Sequence, residues 1–198
     1  MEITAKMVKE LREKTGAGMM DCKKALGETG GDFDQAVTML REKGMAKAAS
    51  KAGRATSEGV IASYIHQGDK LGVLVEINCE TDFVARTDEF QKFARDIAMH
   101  VAASSPVCVE REQIDSALVK AEKEIYQHQA ENEGKPANIV EKIVEGRIEK
   151  YYAEVVLLEQ PFIKDPDKSV GDYVRETIGS LGENIIVKRF TRYALGEE

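Results

Sequence analysis

Three carboxylates and a thiol lie close together between Glu76 and Asp82, where their spacing could support acid–base chemistry. Glu76, Glu80 and Asp82 could supply a general base, but no acid, nucleophile or phosphate-binding loop accompanies them in the sequence. Cys79 lies among them, and a Cys/His pair stays open as a nucleophile. A cysteine at the end of an apolar strand is more typical of a small buried hydrophobe. We therefore retain a small hydrolase only as a minor alternative.

Cofactor and metal motifs are absent from the sequence. It contains no Gly-x-x-x-x-Gly-Lys-[Ser/Thr] loop, and the Gly16/Gly18 pair follows no strand, so we expect no direct nucleotide binding. No Cys-x-x-Cys or His-x-x-x-His spacing supports a metal, and we expect no cofactor. His66 and His128 are typical of surface residues. We expect His100 to cap the carbonyl end of its own helix, with a partner contact as the alternative.

Phe83 stands between Asp82 and Val84, where a strand pattern gives way to a helix pattern. The apolar run 71–77 precedes it, and a helical pattern begins near Asp88. Connecting segments on a rigid scaffold often carry function. An aromatic beside an acidic residue could form a probe that enters another protein. The alternative, which position alone slightly favours, is that Phe83 folds back under the following helix.

Composition limits the class of protein. The chain has 198 residues, 42% hydrophobic and 32% charged, which is typical of a soluble globular protein with one or two small domains. A net charge of −7 disfavours nucleic-acid binding, because phosphate contacts need clustered Lys and Arg. No segment is apolar enough to cross a membrane, and residues 1–6 lack a signal-peptide core. Three widely spaced cysteines, Cys22, Cys79 and Cys108, indicate a reducing compartment, so we expect a cytoplasmic protein without membrane binding.

Residues 1–44 read as a three-helix domain that docks on a partner. Thr4 is a candidate N-cap for the first helix, Asp32 with Gln35 resembles a capping box at the third, and Gly44 is a candidate C-terminal stop. Met19 and Met20 are adjacent on the second helix, and both cannot point inward. Flexible thioethers adapt to partner surfaces, so these two residues are candidate contacts, although one of them could fill the core.

Residues 45–57 read as a linker, and residues 58–198 as an α+β domain. The linker carries three cations, Lys47, Lys51 and Arg54, which leave an RNA-associated role as an alternative. Strand patterns over 60–66 and 71–78 predict a β-hairpin. The hairpin is followed by a helix from Asp88, an antiparallel helical hairpin over 114–157, a turn at 165–167, a helix ended by Gly182 and a strand over 184–195. We expect a small antiparallel sheet of about three strands with helices on one face.

Several stretches together resemble a known family. Residues 15–26 (TGAGMMDCKKAL), 34–36 (DQA) and 40–44 (LREKG) are similar to the N-terminal domain of bacterial elongation factor Ts. Residues 76–86 (EINCETDFVAR) resemble the core signature of that family, and 158–162 (LEQPF) resemble a further stretch. The resemblance covers essentially the whole chain, with its motifs in the same order.

The resemblance implies a partner and a mechanism. The family exchanges nucleotide on elongation factor Tu, the GTPase that delivers aminoacyl-tRNA, and performs no enzymatic chemistry of its own. Its first domain is ubiquitin-associated-like and contacts the GTPase domain, which implies such a role for Met19 and Met20. Its core inserts an Asp-Phe pair between two helices of that domain, with loss of the Mg²⁺ that holds GDP. Here the pair would be Asp82 and Phe83, flanked by Thr81 and Val84.

The chain resembles a short form of the family, since only one hairpin-plus-helix core and one helical hairpin can be placed. A homodimer could supply the contacts that a second core provides in longer members. The main alternative is a ubiquitin-associated-type adaptor without exchange activity. The adaptor reading predicts that residues 1–44 suffice for binding and that Phe83 is irrelevant.

Overall fold

The computed structural model describes residues 3–197, which form eight α-helices and five β-strands. The helices are α1 (Ala5–Thr15), α2 (Met19–Glu28), α3 (Phe33–Lys51), α4 (Asp82–Ala85), α5 (Asp88–Ser104), α6 (Ser116–Asn132), α7 (Ala137–Val155) and α8 (Val170–Leu181). The strands are β1 (Glu58–Ile65), β2 (Leu71–Cys79), β3 (Pro161–Phe162), β4 (Asp165–Ser169) and β5 (Ile185–Ala194). Met1 and Glu2, which belong to the predicted first domain and to the segment inspected for a signal peptide, lie outside the described residues.

The predicted α+β class is confirmed, including the three-stranded antiparallel sheet. Its strand order is β1-β2-β5, so β2 is central, and β3 pairs with β4 in a separate two-stranded sheet. Val73, Val75 and Ile77 of β2 are buried at every second position, as a half-buried strand requires. Among the described helices, none is long and apolar enough to span a membrane.

Contacts divide the chain into two compact units. One comprises the chain up to Ile61 together with 76–94 and 172–187, and the other comprises 62–75, 95–171 and the chain from Lys188 onward. The predicted domain boundaries at 44 and 57 stay a prediction.

The three predicted N-terminal helices are present, and their ends have the predicted caps. Met7 N–H donates to Thr4 Oγ1 at 3.3 Å, and Gln35 N–H donates to Asp32 Oδ1 at 3.0 Å. Gly16 ends α1 with φ +66°, a conformation that glycine adopts without strain. The helices enclose a small core of Val8, Leu11, Cys22, Ala25, Leu26, Ala36 and Leu40.

The prediction that Gly44 stops the third helix is wrong. Helix α3 runs through Gly44 to Lys51, so residues 45–51 of the predicted linker are helical. A single glycine costs a helix only about 1 kcal/mol, and the alanine- and lysine-rich sequence after it favours helix. Gly179 of α8 lies against this part of α3, since a methyl group on Gly179 would lie 3.2 Å from Gly44 Cα, whereas a methyl group on Gly44 would meet no atom within 4 Å.

The predicted helical hairpin is confirmed as α6 and α7. Side-chain bonds of Arg111 join α7 to the segment that follows it. The Arg111 guanidinium donates to both carboxylate oxygens of Glu149, at 2.9 and 2.7 Å, and also bonds Glu159. The same guanidinium stacks over the Tyr152 ring, 4.2 Å from its centroid.

The predicted turn at 165–167 is wrong, since these residues belong to β4. The chain reverses two residues earlier, at Ile163 and Lys164, neither of which is a typical turn residue. Tertiary contacts hold this reversal: Lys164 Nζ lies 2.7 Å from Asp96 Oδ1, and Ile163 N–H donates to His100 Nδ1 at 3.3 Å. Pro166 is tolerated because β4 is an edge strand of a two-stranded sheet.

His100 does not cap its helix, which corrects the sequence-based expectation. The ring is fully buried, and because Nδ1 accepts from Ile163 N–H, the proton must lie on Nε2. Nε2 is 2.9 Å from Gln160 Oε1, and Gln160 Nε2 donates to the carbonyls of Ser104 and Glu154. Burial lowers the pKa of His100, so the folded protein holds the ring neutral.

We predict that replacing His100 reduces the acid sensitivity of folding. The unfolded chain takes up a proton near the ordinary pKa of 6.5, whereas the folded chain resists it because burial disfavours the charged ring and a second N–H would face the Ile163 N–H. The free energy of unfolding should therefore fall as pH drops from 7.5 toward 5, with this residue contributing at most about 1.4 kcal/mol per pH unit. Urea unfolding of the wild type and of His100→Gln at several pH values measures the slopes. Parallel slopes would contradict the prediction.

Candidate partner-docking site

Phe83 projects from α4, a single helical turn between the end of β2 and the start of α5. Its side chain is 79% exposed, so the alternative in which it folds back under the helix is wrong. A phenyl ring with so little intramolecular contact contributes little to folding and leaves its apolar surface in water. The ring is therefore available to another molecule.

Thr81 holds the turn that carries Phe83. Its side chain accepts a hydrogen bond from Val84 N–H at 3.3 Å, and its carbonyl accepts from Ala85 N–H at 3.2 Å, so Thr81 is the N-cap of α4. Cys79 is buried, and its thiol donates to the same carbonyl at 3.2 Å. Burial raises the pKa of the Cys79 thiol, which fits the interpretation of a small buried hydrophobe.

A second loop, residues 183–184, is bonded to the Thr81 segment. Glu183 accepts from Thr81 N–H at 3.0 Å and from the Thr81 hydroxyl at 2.6 Å. In the opposite direction, Glu80 Oε1 accepts from Asn184 N–H at 2.7 Å. The Asn184 side chain donates to the Arg54 carbonyl at 2.9 Å, and Arg54 lies 3.5 Å from Glu80 Oε2. Each loop thus supplies a carboxylate to a backbone N–H of the other.

Two of the three carboxylates that suggested a general base, Glu80 and Asp82, make bonds within the protein. The Asn184 N–H, aided by Arg54, lowers the pKa of Glu80, which makes Glu80 a weaker base. Asp82 pairs with Arg86 at 2.8 Å. No group of three or more His, Cys, Asp or Glu residues among residues 3–197 is arranged to hold a metal ion. The geometry gives the hydrolase alternative no support.

Helix α5 anchors the other end of the turn. Thr87 donates its hydroxyl proton to the Val84 carbonyl at 2.8 Å and accepts from Phe90 N–H at 3.2 Å. Gln91 Nε2 donates to the Ala85 carbonyl at 2.7 Å. Phe90 and Phe93 are buried, so the helix that receives these bonds is itself fixed by the core.

Met19 and Met20 are both exposed, at 48% and 75%, so neither fills the core. They open α2, whose buried side consists of Cys22, Ala25 and Leu26. Two adjacent exposed thioethers form a small adaptable apolar surface, as a docking contact requires.

Two of the three cations of the predicted linker are paired with carboxylates. Lys47 Nζ lies 3.3 Å from Asp21, and Arg54 lies 3.5 Å from Glu80. Paired cations attract phosphate less than a cluster of free ones, which weakens the RNA-associated alternative.

Sequence reasoning missed the residues that position the turn: Arg54, Glu183 and Asn184. Glu183 lies 102 residues from Thr81, and Asn184 lies 104 residues from Glu80. No local pattern marks such a pair, because a carboxylate that accepts from a distant backbone N–H has no characteristic spacing in the sequence.

Comparison with known proteins points to one family. A family profile described as elongation factor TS matches residues 2–197. Elongation factor Ts of Geobacter sulfurreducens is 61% identical over 197 residues, which cover 100% of this chain and 91% of that protein. The Carboxydothermus hydrogenoformans protein of the same name is 62% identical over 195 residues, 98% of this chain and 90% of its own length. That of Nitratidesulfovibrio vulgaris is 58% identical over 198 residues, 100% and 99% of the two chains.

Proposed function

The chain belongs to the elongation factor Ts family of translation elongation factors, and on that premise we propose that it is a guanine nucleotide exchange factor for elongation factor Tu. It binds the GDP-bound GTPase in the bacterial cytoplasm and inserts Asp82 and Phe83 into the GTPase domain. The insertion disturbs Mg²⁺ and promotes GDP release, so that GTP can bind. The observation that carries the proposal is the exposed Phe83 ring on an anchored turn.

The physics of insertion suits this geometry. Mg²⁺ requires near-ideal octahedral coordination at about 2.0–2.1 Å, so a small displacement of its ligands weakens both the metal and the GDP that it bridges. Binding of Phe83 in an apolar cleft offsets the cost of that displacement. Coupling is reciprocal, so GDP weakens the binding of this protein by the same factor by which the protein weakens GDP.

Asp82 is in a state from which it can change partners. Its bond to Arg86 is an exposed pair within one helical turn, and such pairs contribute little to stability. A donor on the GTPase can therefore replace Arg86 at little cost. Thr81 donates its hydroxyl proton to Glu183, so Thr81 supports the turn. Val84 flanks Phe83 on the C-terminal side.

Release of a fluorescent GDP analogue from elongation factor Tu tests the function. The preloaded GTPase is mixed with excess unlabelled GDP, with and without this protein, and the decay of fluorescence is followed. We expect catalytic amounts of the protein to accelerate release. Release at the intrinsic rate, at protein concentrations that saturate a binding assay, would contradict exchange and favour the adaptor alternative.

We predict that Met20→Ala weakens binding to elongation factor Tu without destabilising the fold. Truncating an exposed thioether that becomes buried on docking costs about 1 kcal/mol, or roughly fivefold in Kd. Calorimetric titration of nucleotide-free elongation factor Tu measures the effect. Met45→Ala is the matched control, because Met45 is also exposed but lies on α3 outside the proposed contact, and it should bind like the wild type. Equal Kd values for both variants would remove Met20 from the contact.

We also propose that the chain forms a homodimer through its three-stranded sheet. Leu74 is exposed between the buried Val73 and Val75 of β2, and Ile186 is exposed between the buried Ile185 and Val187 of β5. Each strand thus presents a large apolar side chain on the side opposite its buried residues. Light scattering should give twice the 21.9 kDa of one chain, and Leu74→Glu should give a monomer. A monomeric mass for the fully active wild type would contradict the dimer.

A further inference from the structure

The side chain of Phe83 is held only weakly by contacts within the protein. The ring is largely in solvent, and the helix that carries it has four residues, too few to be stable by themselves. The ion pair between Asp82 and Arg86 on this turn is exposed. A ring in this setting keeps a defined direction only if the backbone beneath it is fixed from outside.

Glu183 supplies that fixation through both of its oxygens. Oε2 accepts from Thr81 N–H and Oε1 accepts from the Thr81 hydroxyl, so the carboxylate binds both the backbone and the side chain of Thr81. The hydroxyl has one proton. Donating it to Glu183 turns the lone pairs of Oγ1 toward Val84 N–H, which is the bond that caps α4. A charge-assisted bond also makes Oγ1 a better acceptor.

The position of Glu183 is itself determined by the fold around it. Gly182 ends α8 with φ +78°, and its N–H donates to the Ile178 carbonyl at 2.8 Å. Asn184 follows Glu183 and is tied to Glu80 and Arg54. The carboxylate therefore reaches Thr81 from a loop that is fixed on both sides.

We propose that Glu183 is a positioning residue for nucleotide exchange: it fixes the Thr81 cap and so sets the direction in which Phe83 projects. This inference rests on the proposed exchange function. Glu183 acts through Thr81 and is not itself a contact of the GTPase, so its effect should exist only while Phe83 is present.

The first test is a double-mutant cycle on stimulated GDP release from elongation factor Tu, using the full-length protein. Glu183→Ala should reduce stimulation about tenfold, the effect of one lost charge-assisted interaction. Glu183→Gln keeps an acceptor for Thr81 N–H but presents an amide N–H donor to Oγ1 in place of an acceptor, so its stimulation should lie between those of the wild type and Glu183→Ala. Added to Phe83→Ala, the alanine change at 183 should cost no more than about twofold further. Glu112→Ala, which removes an exposed carboxylate elsewhere, should leave the rate unchanged.

The second test needs no partner protein. Amide hydrogen exchange of free Glu183→Ala should be about tenfold faster at Val84, whose N–H the cap protects, and unchanged at Phe93 in α5. Equal acceleration at both amides would show a general loss of stability and overturn the inference. If Glu183→Ala does not fold, Glu183→Asp replaces it, since its shorter side chain withdraws the same charge from Thr81.

The outcomes separate the two proposals. If Phe83→Ala is impaired but Glu183→Ala stimulates normally, or if the two losses multiply, the positioning role of Glu183 is overturned and the exchange function stands. If the wild type does not stimulate release, or if Phe83→Ala stimulates normally, the proposed insertion fails. The hydrogen-exchange rate of the Val84 amide then decides by itself whether Glu183 fixes the turn.

Discussion

Phe83→Ala should reduce the stimulation of GDP release from elongation factor Tu by about 30-fold while leaving the stability of the protein unchanged. Burial of a phenyl ring contributes on the order of 2 kcal/mol, and each 1.4 kcal/mol is a factor of ten. In the free protein the ring is 79% exposed, so its removal costs the fold almost nothing. Stopped-flow release of a fluorescent GDP analogue measures the first quantity and thermal unfolding the second.

The control for Phe83→Ala is Leu118→Ala. Leu118 is an exposed apolar side chain on α6, and its truncation should leave both stimulation and Tm at the wild-type values. Full stimulation by Phe83→Ala would keep exchange as the function and reject insertion of the ring. A large drop in Tm would mean that the ring supports the fold, contrary to its exposure.

Gly59→Ala should be the most destabilising single-methyl change in the protein, by roughly 4 kcal/mol. Gly59 lies in β1 with φ +146°, a conformation that residues with a Cβ avoid. A Cβ there would lie 2.1 Å from the Ile77 carbonyl oxygen and 2.7 Å from Asn78 Cα, both backbone atoms of β2. Neither can move without disturbing the strand that leads into the Thr81 turn. Tm should fall by about 10 °C.

Gly146→Ala is the matched control for Gly59→Ala. Gly146 lies inside α7, and a Cβ there would meet no atom within 4 Å. The same added methyl should stabilise the protein by about 0.5–1 kcal/mol, because alanine favours helix and restricts the unfolded chain. Denaturant unfolding compares the two variants. A wild-type midpoint for Gly59→Ala would refute the close approach of β1 to β2.

Local patterns in the sequence determined most of the elements. Thr4, Asp32 and Gly182 mark helix ends because capping depends on residues within one turn. The alternation of Val73, Val75 and Ile77 gives the strand because side chains of a strand alternate between two faces. The same local logic failed at Gly44 and at 165–167. At Gly44 the helix-favouring residues that follow outweigh the cost of one glycine. At Ile163 and Lys164, contacts with His100 and Asp96 replace turn chemistry.

The sequence by itself therefore determined the fold class, the family and the Asp82-Phe83 pair as the candidate probe, since each depends on residues that are neighbours along the chain. Only the tertiary structure decided that Phe83 is exposed, that His100 is a neutral core residue, and that Glu183 accepts hydrogen bonds from Thr81. These facts depend on residues brought together across 60 residues at His100 and Gln160, and across 102 at Thr81 and Glu183. Hydrogen bonds between such residues form when the chain closes those loops, and no periodicity in the sequence records the partner of a given carboxylate or ring nitrogen.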